Sequence, residues 1–283
     1  MAGLVPSPLL PFQFCMIDLH SHILPGLDDG SPDLQTSLAM ARMAVEDGTR
    51  LIACTPHRTP GLYDTSAQQI RSSVSAFREE LKRAGIPLTV CGGSDVHICP
   101  ELPRLLADEP DFRLARSDYF LFEPPHQFLP PKLVDLAERV RDAGFRPILT
   151  HPERLRWVEK QYDVFVRLIE AGCLVQVTAG SIEGRFGKQA EELSWRMLEE
   201  GRVDIIASDA HNLKSRPPRL SGAMALVTET LGESEAWRMT VERPAAILKN
   251  SELRPVGLAS RSTTVDRPVA RSGPRRLWDR LTR

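Results

Sequence analysis

Short apolar runs alternate with longer amphipathic segments along most of this chain. Each run is bounded by polar or turn-forming residues, a pattern typical of buried β-strands. The predicted strands cover residues 16–19, 51–54, 88–91, 119–122, 147–150, 174–177 and 204–207. The longer segments between them predict helices, since they end at glycines. The pattern therefore predicts seven strand–helix units.

The segment after the first predicted strand illustrates how the helices are predicted. Ser31 and Pro32 are typical of an N-cap and a first helical turn, and the helix is predicted to continue to about Asp47 and to stop at Gly48. The other helices are predicted over residues 67–84, 131–143, 162–171 and 188–200. Strict alternation indicates an α/β fold with parallel strands, either as a barrel or as an open doubly wound sheet. The strands alone leave that choice open.

Two terminal segments lie outside this alternation. Residues 1–15 hold an apolar stretch that three prolines interrupt and that no basic residue precedes, so we predict a short N-terminal extension, with Met16 as an alternative start. Residues 251–283 hold eight arginines, three acids and three prolines among few apolar residues, which predicts a basic, disordered C-terminal tail. Residues 16–250 then form a single domain.

Composition and charge argue against several functions. The 283 residues carry 36 basic and 37 acidic side chains, so no excess of positive charge indicates a nucleic-acid partner. No uninterrupted apolar run is long enough to span a bilayer, which predicts no stable membrane insertion. Five cysteines without a CxxC pair do not make a disulfide framework, and they favour a cytoplasmic location. The sequence leaves the oligomeric state open.

The histidines and several carboxylates lie at or just after the ends of predicted strands. The histidines are His20, His22, His57, His97, His126, His151 and His211. The carboxylates are Asp18, Asp28, Asp29, Asp95, Glu123 and Asp209. Because the carboxyl ends of parallel strands meet on one face of an α/β fold, we expect these side chains to converge.

The spacing of these residues indicates a metal site. Side chains two positions apart on a strand share a face, so His20 and His22 can bind one ion, and Asp209 and His211 can act together. Mixed imidazole and carboxylate ligands suit Zn, Mn or Fe better than Ca or Mg. A lone HxH or Asp-Asp-Gly is more often structural, and it is the coincidence of several such strand ends that favours metal binding.

Several motifs occur in a consistent order over residues 16 to about 250. They are DLHSHILPGLDDG at 18–30, CTPHR at 54–58, GGSD at 92–95, LFE at 121–123, THPER at 150–154 and ASDAHNLKSRPP at 207–218. In these motifs the chain resembles the polymerase and histidinol phosphatase (PHP) superfamily. More closely, it is similar to the bacterial PHP-type protein-tyrosine phosphatases of capsule and exopolysaccharide operons.

The resemblance implies a distorted (β/α)7 TIM-like barrel with three divalent metal ions at the carboxyl ends of its strands. Manganese is the favoured metal, with iron and zinc as alternatives. The implied ligands are His20, His22 and Asp209 for one ion, Asp29, His57 and His211 for a second, Glu123 and His151 for a third, and Asp95 as a bridge between two ions. Arg154 and Arg216 match the family's phosphate-binding arginines, whose planar donors suit phosphate oxygens.

One position departs from the family pattern, because Asp95 stands where the family usually has glutamate. We expect the shorter carboxylate to draw the ions closer, to bind one ion weakly or to leave one site empty. His97, two residues later, is interpreted as a pocket wall or a partner of a ligand. Asp18 and His126 are likewise interpreted as neighbours of the ligands or as rim residues.

These residues predict a metal-dependent phosphomonoesterase, since bridged ions activate water and bind phosphoryl oxygens. The resemblance implies a protein-tyrosine phosphatase that acts on the phosphotyrosine tail of a tyrosine autokinase in capsule or exopolysaccharide biosynthesis. A phenolate leaving group, with a pKa of about 10, needs less protonation than an alkoxide. The alternatives are a small-molecule phosphatase, such as one for histidinol phosphate, and a non-catalytic regulator that keeps the fold.

Other hydrolase chemistries lack their motifs. No histidine directly precedes a cysteine, as in the loop of cysteine-based phosphatases, and neither a P-loop nor a GxSxG elbow is present. An amidohydrolase is expected to place a metal-bridging lysine on a middle strand, where this chain has Glu123.

Overall fold

The computed structural model describes residues 15–259. The strands are β1 (Met16–Ser21), β2 (Thr49–Cys54), β3 (His57–Arg58), β4 (Thr89–Gly92), β5 (Asp95–His97), β6 (Tyr119–Glu123), β7 (Arg146–Thr150), β8 (Leu174–Thr178) and β9 (Ile205–Ala207). Residues 1–14 of the predicted extension and residues 260–283 of the predicted tail lie outside the described residues.

The strands all pair in parallel, as the alternating pattern predicts. One sheet has the order β1-β2-β4, and the other has the order β3-β5-β6-β7-β8-β9. A parallel bridge between Ser21 and Ala210 brings the end of the last strand beside the first. Parallel strands in chain order, with the first beside the last, give the predicted distorted barrel rather than an open doubly wound sheet.

Nine strands arise from seven predicted ones because the second and third are interrupted. β3 follows β2 after two residues, and β5 follows β4 after two residues. Hydrogen bonds connect the two interruptions. Ser94 Oγ, between β4 and β5, donates to Pro56 O, between β2 and β3, at 2.7 Å, and the Asp95 amide donates to the same oxygen at 3.1 Å. The short strands β3 and β5 begin at His57 and Asp95, so each interruption leads directly into a predicted ligand.

The helices follow the predicted pattern between residues 67 and 200, and further short helices occur elsewhere. They are α1 (Leu34–Glu46), α2 (Ala67–Arg83), α3 (Leu102–Asp108), α4 (Leu133–Asp142), α5 (Tyr162–Glu170), α6 (Ala179–Ile182), α7 (Lys188–Glu199), α8 (Ser221–Leu231), α9 (Glu233–Trp237), α10 (Arg243–Leu248) and α11 (Val256–Ala259). Among the residues that the structure describes, no helix is long and apolar enough to cross a membrane.

The predicted start of α1 is wrong by two residues. Asp33 is the N-cap, and its side chain accepts a hydrogen bond from the Thr36 amide at 2.8 Å. Ser31 is buried in the preceding loop, where its amide donates to His22 O at 3.0 Å and its carbonyl accepts from the Gly26 amide. This loop folds back over the end of β1, and that tertiary contact removes Ser31 from the capping position.

One face of β6 runs from the apolar interior of the barrel to the site. Tyr119 and Leu121 lie in an apolar cluster with residues from other strands, and Glu123 follows on the same face. In β1, by contrast, the adjacent residues Leu19 and His20 lie in different regions. Leu19 belongs to that apolar cluster, and His20 belongs to the site. The pairing with β2 shifts by one residue between Asp18 and Ser21, and His20 lies within this irregularity, which is of a kind that changes the direction of side chains.

Residues 251–259 pack against the barrel, although the sequence places them in the tail. The Tyr119 hydroxyl donates to Ser251 O at 2.8 Å and accepts from the Leu253 amide at 2.9 Å. The Val256 amide donates to Asp204 Oδ1 at 3.0 Å. These contacts attach the beginning of the predicted tail to β6 and to the segment before β9.

We predict that a chain ending at Asn250 is less stable than a chain ending at Ala259. The shorter chain leaves the Tyr119 hydroxyl and the Asp204 carboxylate without these partners, and such a loss lowers the free energy of unfolding by about 1–3 kcal/mol per buried group. Urea unfolding of both chains measures the difference, with the full-length protein as control. Equal unfolding midpoints for the two truncated chains would show that residues 251–259 do not contribute.

Candidate metal centre

The structure brings all nine predicted ligands together at the carboxyl ends of the strands. Groups whose ligand atoms lie within 4.8 Å of one another are His22, Asp29, His57 and His211; His20, His22 and Asp95; His20, His151 and Asp209; His57, Asp95 and Glu123; and Glu123, His126 and His151. The expected convergence of the strand ends is therefore observed. His126, which the sequence places at the rim, stands within ligand distance of Glu123 and His151.

The first predicted group is formed by His20, His22 and Asp209. The two Nε2 atoms of the histidines are 3.1 Å apart, and each lies 3.3 Å from Asp209 Oδ1. Asp95 lies next to this group and reaches a second one, since its Oδ2 is 3.3 Å from His20 Nε2 and 3.5 Å from His57 Nδ1. Despite its shorter side chain, Asp95 occupies the expected position between two groups.

The other two predicted groups are also assembled. Asp29 Oδ1 is 3.6 Å from His57 Nε2 and 3.4 Å from His211 Nε2. Glu123 Oε2 is 3.4 Å from His57 Nδ1, and Glu123 Oε1 is 3.8 Å from His126 Nε2. Separations of this size between nitrogen and oxygen are long for hydrogen bonds, and they leave these atoms facing one another around shared spaces.

Oxygen acceptors outside the cluster fix the orientation of three imidazole rings. His20 Nδ1 donates to Gln176 Oε1 at 2.9 Å, His22 Nδ1 to Asp28 Oδ2 at 2.6 Å, and His211 Nδ1 to the Asp209 carbonyl at 3.0 Å. Because a carbonyl or carboxylate oxygen only accepts, each Nδ1 carries a hydrogen, and each Nε2 is the ring atom that can present a lone pair to the cluster once the ring is neutral. That is the tautomer which a metal ion requires.

Asp28 is one of the carboxylates expected to converge at the strand ends, but the sequence does not predict its role. Besides His22, its carboxylate accepts hydrogen bonds from the amides of His57 at 2.9 Å and Gly30 at 3.0 Å. Burial opposes the charge of Asp28, but the His22 ring outweighs that effect and holds the pKa of the carboxyl well below its usual range. Gly30 is required beside it, since a Cβ there would lie 2.1 Å from His22 O.

We predict that Asp28→Asn weakens metal binding by roughly 10–100-fold, the usual effect of losing a group that orients a ligand. The amide loses the charge that fixes His22 and shares its remaining acceptor between His22 and His57. Titration with Mn²⁺ measures the change. Asp108→Asn, an exposed carboxylate on α3, is the matched control and should leave the affinity unaltered. An Asp28→Asn variant with unchanged affinity would exclude this orienting role.

Buried polar atoms without a hydrogen-bond partner are concentrated in the cluster. Among the described residues they include His57 Nδ1, both carboxylate oxygens of Asp95, His151 Nδ1, Asp209 Oδ1 and His211 Nε2. A buried polar group left unpaired costs about 1–3 kcal/mol, and a charged one costs more. Imidazole nitrogens and carboxylate oxygens are ligands for transition-metal ions, so the residues present fit divalent cations.

The histidines differ in their affinity for protons. Burial disfavours the charge of the His20 ring, but the carboxylates of Asp209 and Asp95 raise its pKa to about 9. The His57 ring is also buried, yet Glu123 and Asp95 raise its pKa to about 10. Burial and the nearby His22 ring lower the pKa of His211 to about 4. Without metal, His20 and His57 are therefore protonated at neutral pH.

We predict that the affinity of the metal-free protein for Mn²⁺ rises with pH. Binding requires neutral His20 and His57, so it releases their protons, and the affinity increases by up to roughly 100-fold per pH unit below their pKa values. The two protonated rings stabilise the metal-free fold below their unfolded pKa of about 6.5, and this stability is lost as the pH rises through about 9 to about 10. Calorimetric titrations at about pH 6.5 and about pH 8 measure the binding effect. Equal affinities would contradict it.

Arg154 and Arg216 meet at Asp209. Arg154 Nη1 and Arg216 Nη2 both donate to Asp209 Oδ2, while Oδ1 faces His20 and His22. Burial disfavours the charge of Asp209, but Arg216 and His20 outweigh it and hold the pKa of the carboxyl well below its usual range. One carboxylate thus connects the predicted phosphate-binding arginines to the predicted metal ligands.

Two of the predicted ligands have a strained backbone. Asp209 has φ 50° and His151 has φ 35°, both in the left-handed region that residues other than glycine rarely adopt. Such a conformation persists only where its surroundings impose it, and it is concentrated at functional sites. His151 directly follows β7 and Asp209 lies two residues after the end of β9, so in both cases a turn after a strand directs the side chain into the cluster.

Asp18 and His97 lie beside the cluster. Asp18 accepts hydrogen bonds from the amides of Ser208 at 3.0 Å and His20 at 3.2 Å, and from the Ser208 hydroxyl. It therefore connects β1 to the end of β9. His97 Nδ1 is 3.7 Å from Glu123 Oε2, and its side chain is partly exposed. Both positions agree with the interpretation as neighbours of the ligands.

Comparisons with known proteins identify relatives over most of the chain. The family model for capsular polysaccharide synthesis, CpsB/CapC, matches residues 16–249. Tyrosine-protein phosphatase YwqE of Bacillus subtilis is 34% identical over 238 residues, which cover 84% of this chain and 93% of the relative. Tyrosine-protein phosphatase CpsB of Streptococcus agalactiae serotype V is 29% identical over 244 residues, covering 83% and 99% of the two chains.

Solved structures agree with this assignment. One of the structures of YwqE from Bacillus subtilis and CpsB from Streptococcus pneumoniae, described as unique metal-dependent tyrosine phosphatases, matches with a TM-score of 0.82 and 33% identity and covers 86% of this chain and 98% of that chain. The lactonase Lmo2620 from Listeria monocytogenes, at 12% identity and a TM-score of 0.50, covers 85% and 96% of the two chains and shares the overall fold alone. This chain belongs to the CpsB/CapC family of capsular polysaccharide synthesis.

Proposed function

We propose that this protein is a metal-dependent phosphomonoesterase, specifically a protein-tyrosine phosphatase. The observation that carries the proposal is the position of Asp209, which contacts Arg154 and Arg216 through one oxygen and faces His20 and His22 through the other. Anion-binding and cation-binding groups therefore share one buried carboxylate, an arrangement suited to a phosphate ester bound beside metal ions. The names of the relatives support the same activity.

The cluster would hold three divalent ions, with manganese favoured over iron or zinc. The proposed ligands are His20, His22 and Asp209; Asp29, His57 and His211; and Glu123 with His151, while Asp95 would contribute to two of these sites and His126 stands beside the third group. When bound, such ions supply Lewis acidity, which lowers the pKa of water and neutralises phosphoryl oxygens. The unpaired buried atoms of Asp95, His151 and Asp209 support this assignment.

The chain's own residues bind and orient the ester. Arg154 and Arg216 are part-buried and keep further N–H donors besides those directed at Asp209, so they can bind phosphoryl oxygens beside the metal ligands. Charge that develops on those oxygens during hydrolysis is stabilised by donors that Asp209 already holds in place. The phenolate of tyrosine leaves with little need for an acid.

The proposed substrate is the phosphotyrosine tail of a tyrosine autokinase in capsule or exopolysaccharide synthesis, in the cytoplasm. The partial exposure of Asp29, His57 and His126 leaves one side of the cluster accessible to a side chain presented by another protein. Five cysteines without a disulfide agree with a reducing compartment. The family's role in capsular polysaccharide synthesis supports this choice of partner.

Comparison of substrates tests this proposal. The Mn²⁺-loaded protein is incubated with a phosphotyrosine peptide, a phosphoserine peptide, histidinol phosphate and sugar phosphates, and released phosphate is measured. We expect the highest kcat/KM for the phosphotyrosine peptide. Faster hydrolysis of histidinol phosphate would support the small-molecule alternative, and no hydrolysis of any ester by metal-loaded protein would support a non-catalytic regulator.

A further inference from the structure

We propose that Phe186 is a positioning residue that holds the guanidinium groups of Arg154 and Arg216 in the orientation that binds phosphate. The inference rests on the proposed function, because it assigns a support to the arginines of that site. Phe186 lies outside the motifs that identify the ligands, in the short loop between α6 and α7.

The ring of Phe186 lies against both arginines. Its centroid is 4.4 Å from Arg154 Cζ and 6.0 Å from Arg216 Cζ. A guanidinium within about 6 Å of a ring centroid is attracted by the negative face of the ring. Each arginine is therefore held at one N–H by Asp209 and attracted to the face of the same ring, and its other donors are free to bind an anion.

The backbone beneath Phe186 leaves space for the ring. A Cβ at Gly180 would lie 2.6 Å from Phe186 Cε2, so the ring packs directly on the main chain of α6. The Arg185 amide donates to Gly180 O at 2.8 Å, which closes the loop that carries the ring. Gly180 has no left-handed φ, so alanine suits its backbone and would clash only with neighbouring side chains.

An arginine side chain has several rotatable bonds, and holding it in one conformation requires more than a single contact. Arg154 and Arg216 carry like charges at one carboxylate, so they repel each other where Asp209 brings them together. Phe186 offsets this repulsion without adding a competing anion, since a carboxylate in its place would occupy the donors that phosphate needs. An aromatic ring is thus a chemically suitable support.

The test compares Phe186→Leu with Phe186→Tyr in the Mn²⁺-loaded full-length protein. Leucine keeps an apolar side chain but removes the ring, and tyrosine keeps the ring. We expect Phe186→Leu to weaken the binding of inorganic phosphate by about tenfold and to raise KM for an aryl phosphate similarly, and Phe186→Tyr to restore both. Metal content and the thermal midpoint should stay at native values. Calorimetry with inorganic phosphate gives the affinity independently of turnover.

Two further variants make the test specific. Gly180→Ala displaces the ring without altering Phe186, so it should also weaken phosphate binding. Phe128→Leu replaces an exposed phenylalanine on the loop after β6 and should change neither affinity nor KM. Unchanged phosphate affinity in Phe186→Leu would overturn the inference, and so would a loss that accompanies lost metal or lowered stability. A native protein that binds phosphate but hydrolyses no ester would refute the proposed function and leave this affinity comparison valid.

Discussion

Replacing Asp209 with asparagine is expected to lower kcat/KM for an aryl phosphate by at least about 1,000-fold. Removing one preorganised donor from an active site already costs roughly 100–1,000-fold, and Asp209 supports two arginines as well as the metal ligands. Its Oδ2 accepts from Arg154 and Arg216, and its Oδ1 lies 3.3 Å from both His20 Nε2 and His22 Nε2. Asparagine keeps the shape but removes the charge on which all four contacts depend.

The measurement is steady-state hydrolysis of an aryl phosphate, with metal content and far-UV circular dichroism recorded in parallel. Asp108→Asn on the exposed face of α3 serves as the control and should retain native kinetics. A folded Asp209→Asn protein that keeps its kcat/KM within a factor of about 10 would show that the carboxylate is not central to the site.

Arg154→Lys and Arg216→Lys are each expected to lower kcat/KM by roughly 100-fold. Lysine keeps the positive charge, but it offers a point charge in place of a planar set of donors, and it cannot contact Asp209 and a phosphoryl oxygen in the same way. The Arg154 guanidinium also lies over the Phe186 ring, and an ammonium group would make that contact differently. Phosphate affinity should fall with kcat/KM, because the same donors bind product.

Arg156→Lys is the matched control for these variants. Arg156 is exposed two residues after Arg154, and its amide, not its side chain, donates to His126 O. The same conservative exchange there should leave kinetics and phosphate binding unchanged. Native kinetics in both Arg154→Lys and Arg216→Lys would mean that phosphate binds elsewhere.

The fold followed from the sequence because strand and helix periodicities are local properties. Seven apolar runs separated by helical segments predicted parallel strands, and the structure has them in chain order. The interruptions after β2 and β4 were not predictable, because they depend on Ser94 and Asp95 bonding to Pro56, a contact between distant parts of the chain. The N-cap of α1 was misplaced for a similar reason, since the buried loop uses Ser31.

The candidate site was predictable where a residue type itself carries the chemistry. Histidines and carboxylates at strand ends indicated a metal site, the family resemblance implied the nine proposed ligands among them, and these converge in the structure. Asp28 was one of two adjacent aspartates, and although the resemblance assigned Asp29 to the ligands, nothing in the sequence indicated that Asp28 would orient His22. The Asp-Asp-Gly motif was the available signal for it.

Gln176 and Phe186 were missed because they carry no ionisable group. Gln176 lies on β8, where the residues around it are apolar and predict a buried strand. Its role depends on the approach of His20 from β1, a strand that is distant in sequence and does not pair with β8. Phe186 depends in the same way on loops that are distant in sequence. Residues that support a site are recognised from spatial neighbours, which periodicity does not reveal.

Titration of the metal-free protein with Mn²⁺, with bound metal and hydrolysis of a phosphotyrosine peptide measured in the same samples, tests the central claim most directly. The proposed site predicts no hydrolysis without metal, activity that increases with bound Mn²⁺, and a maximum when the sites are filled. Undiminished hydrolysis by the metal-free protein, or full metal loading without hydrolysis of the peptide, would contradict the proposed function.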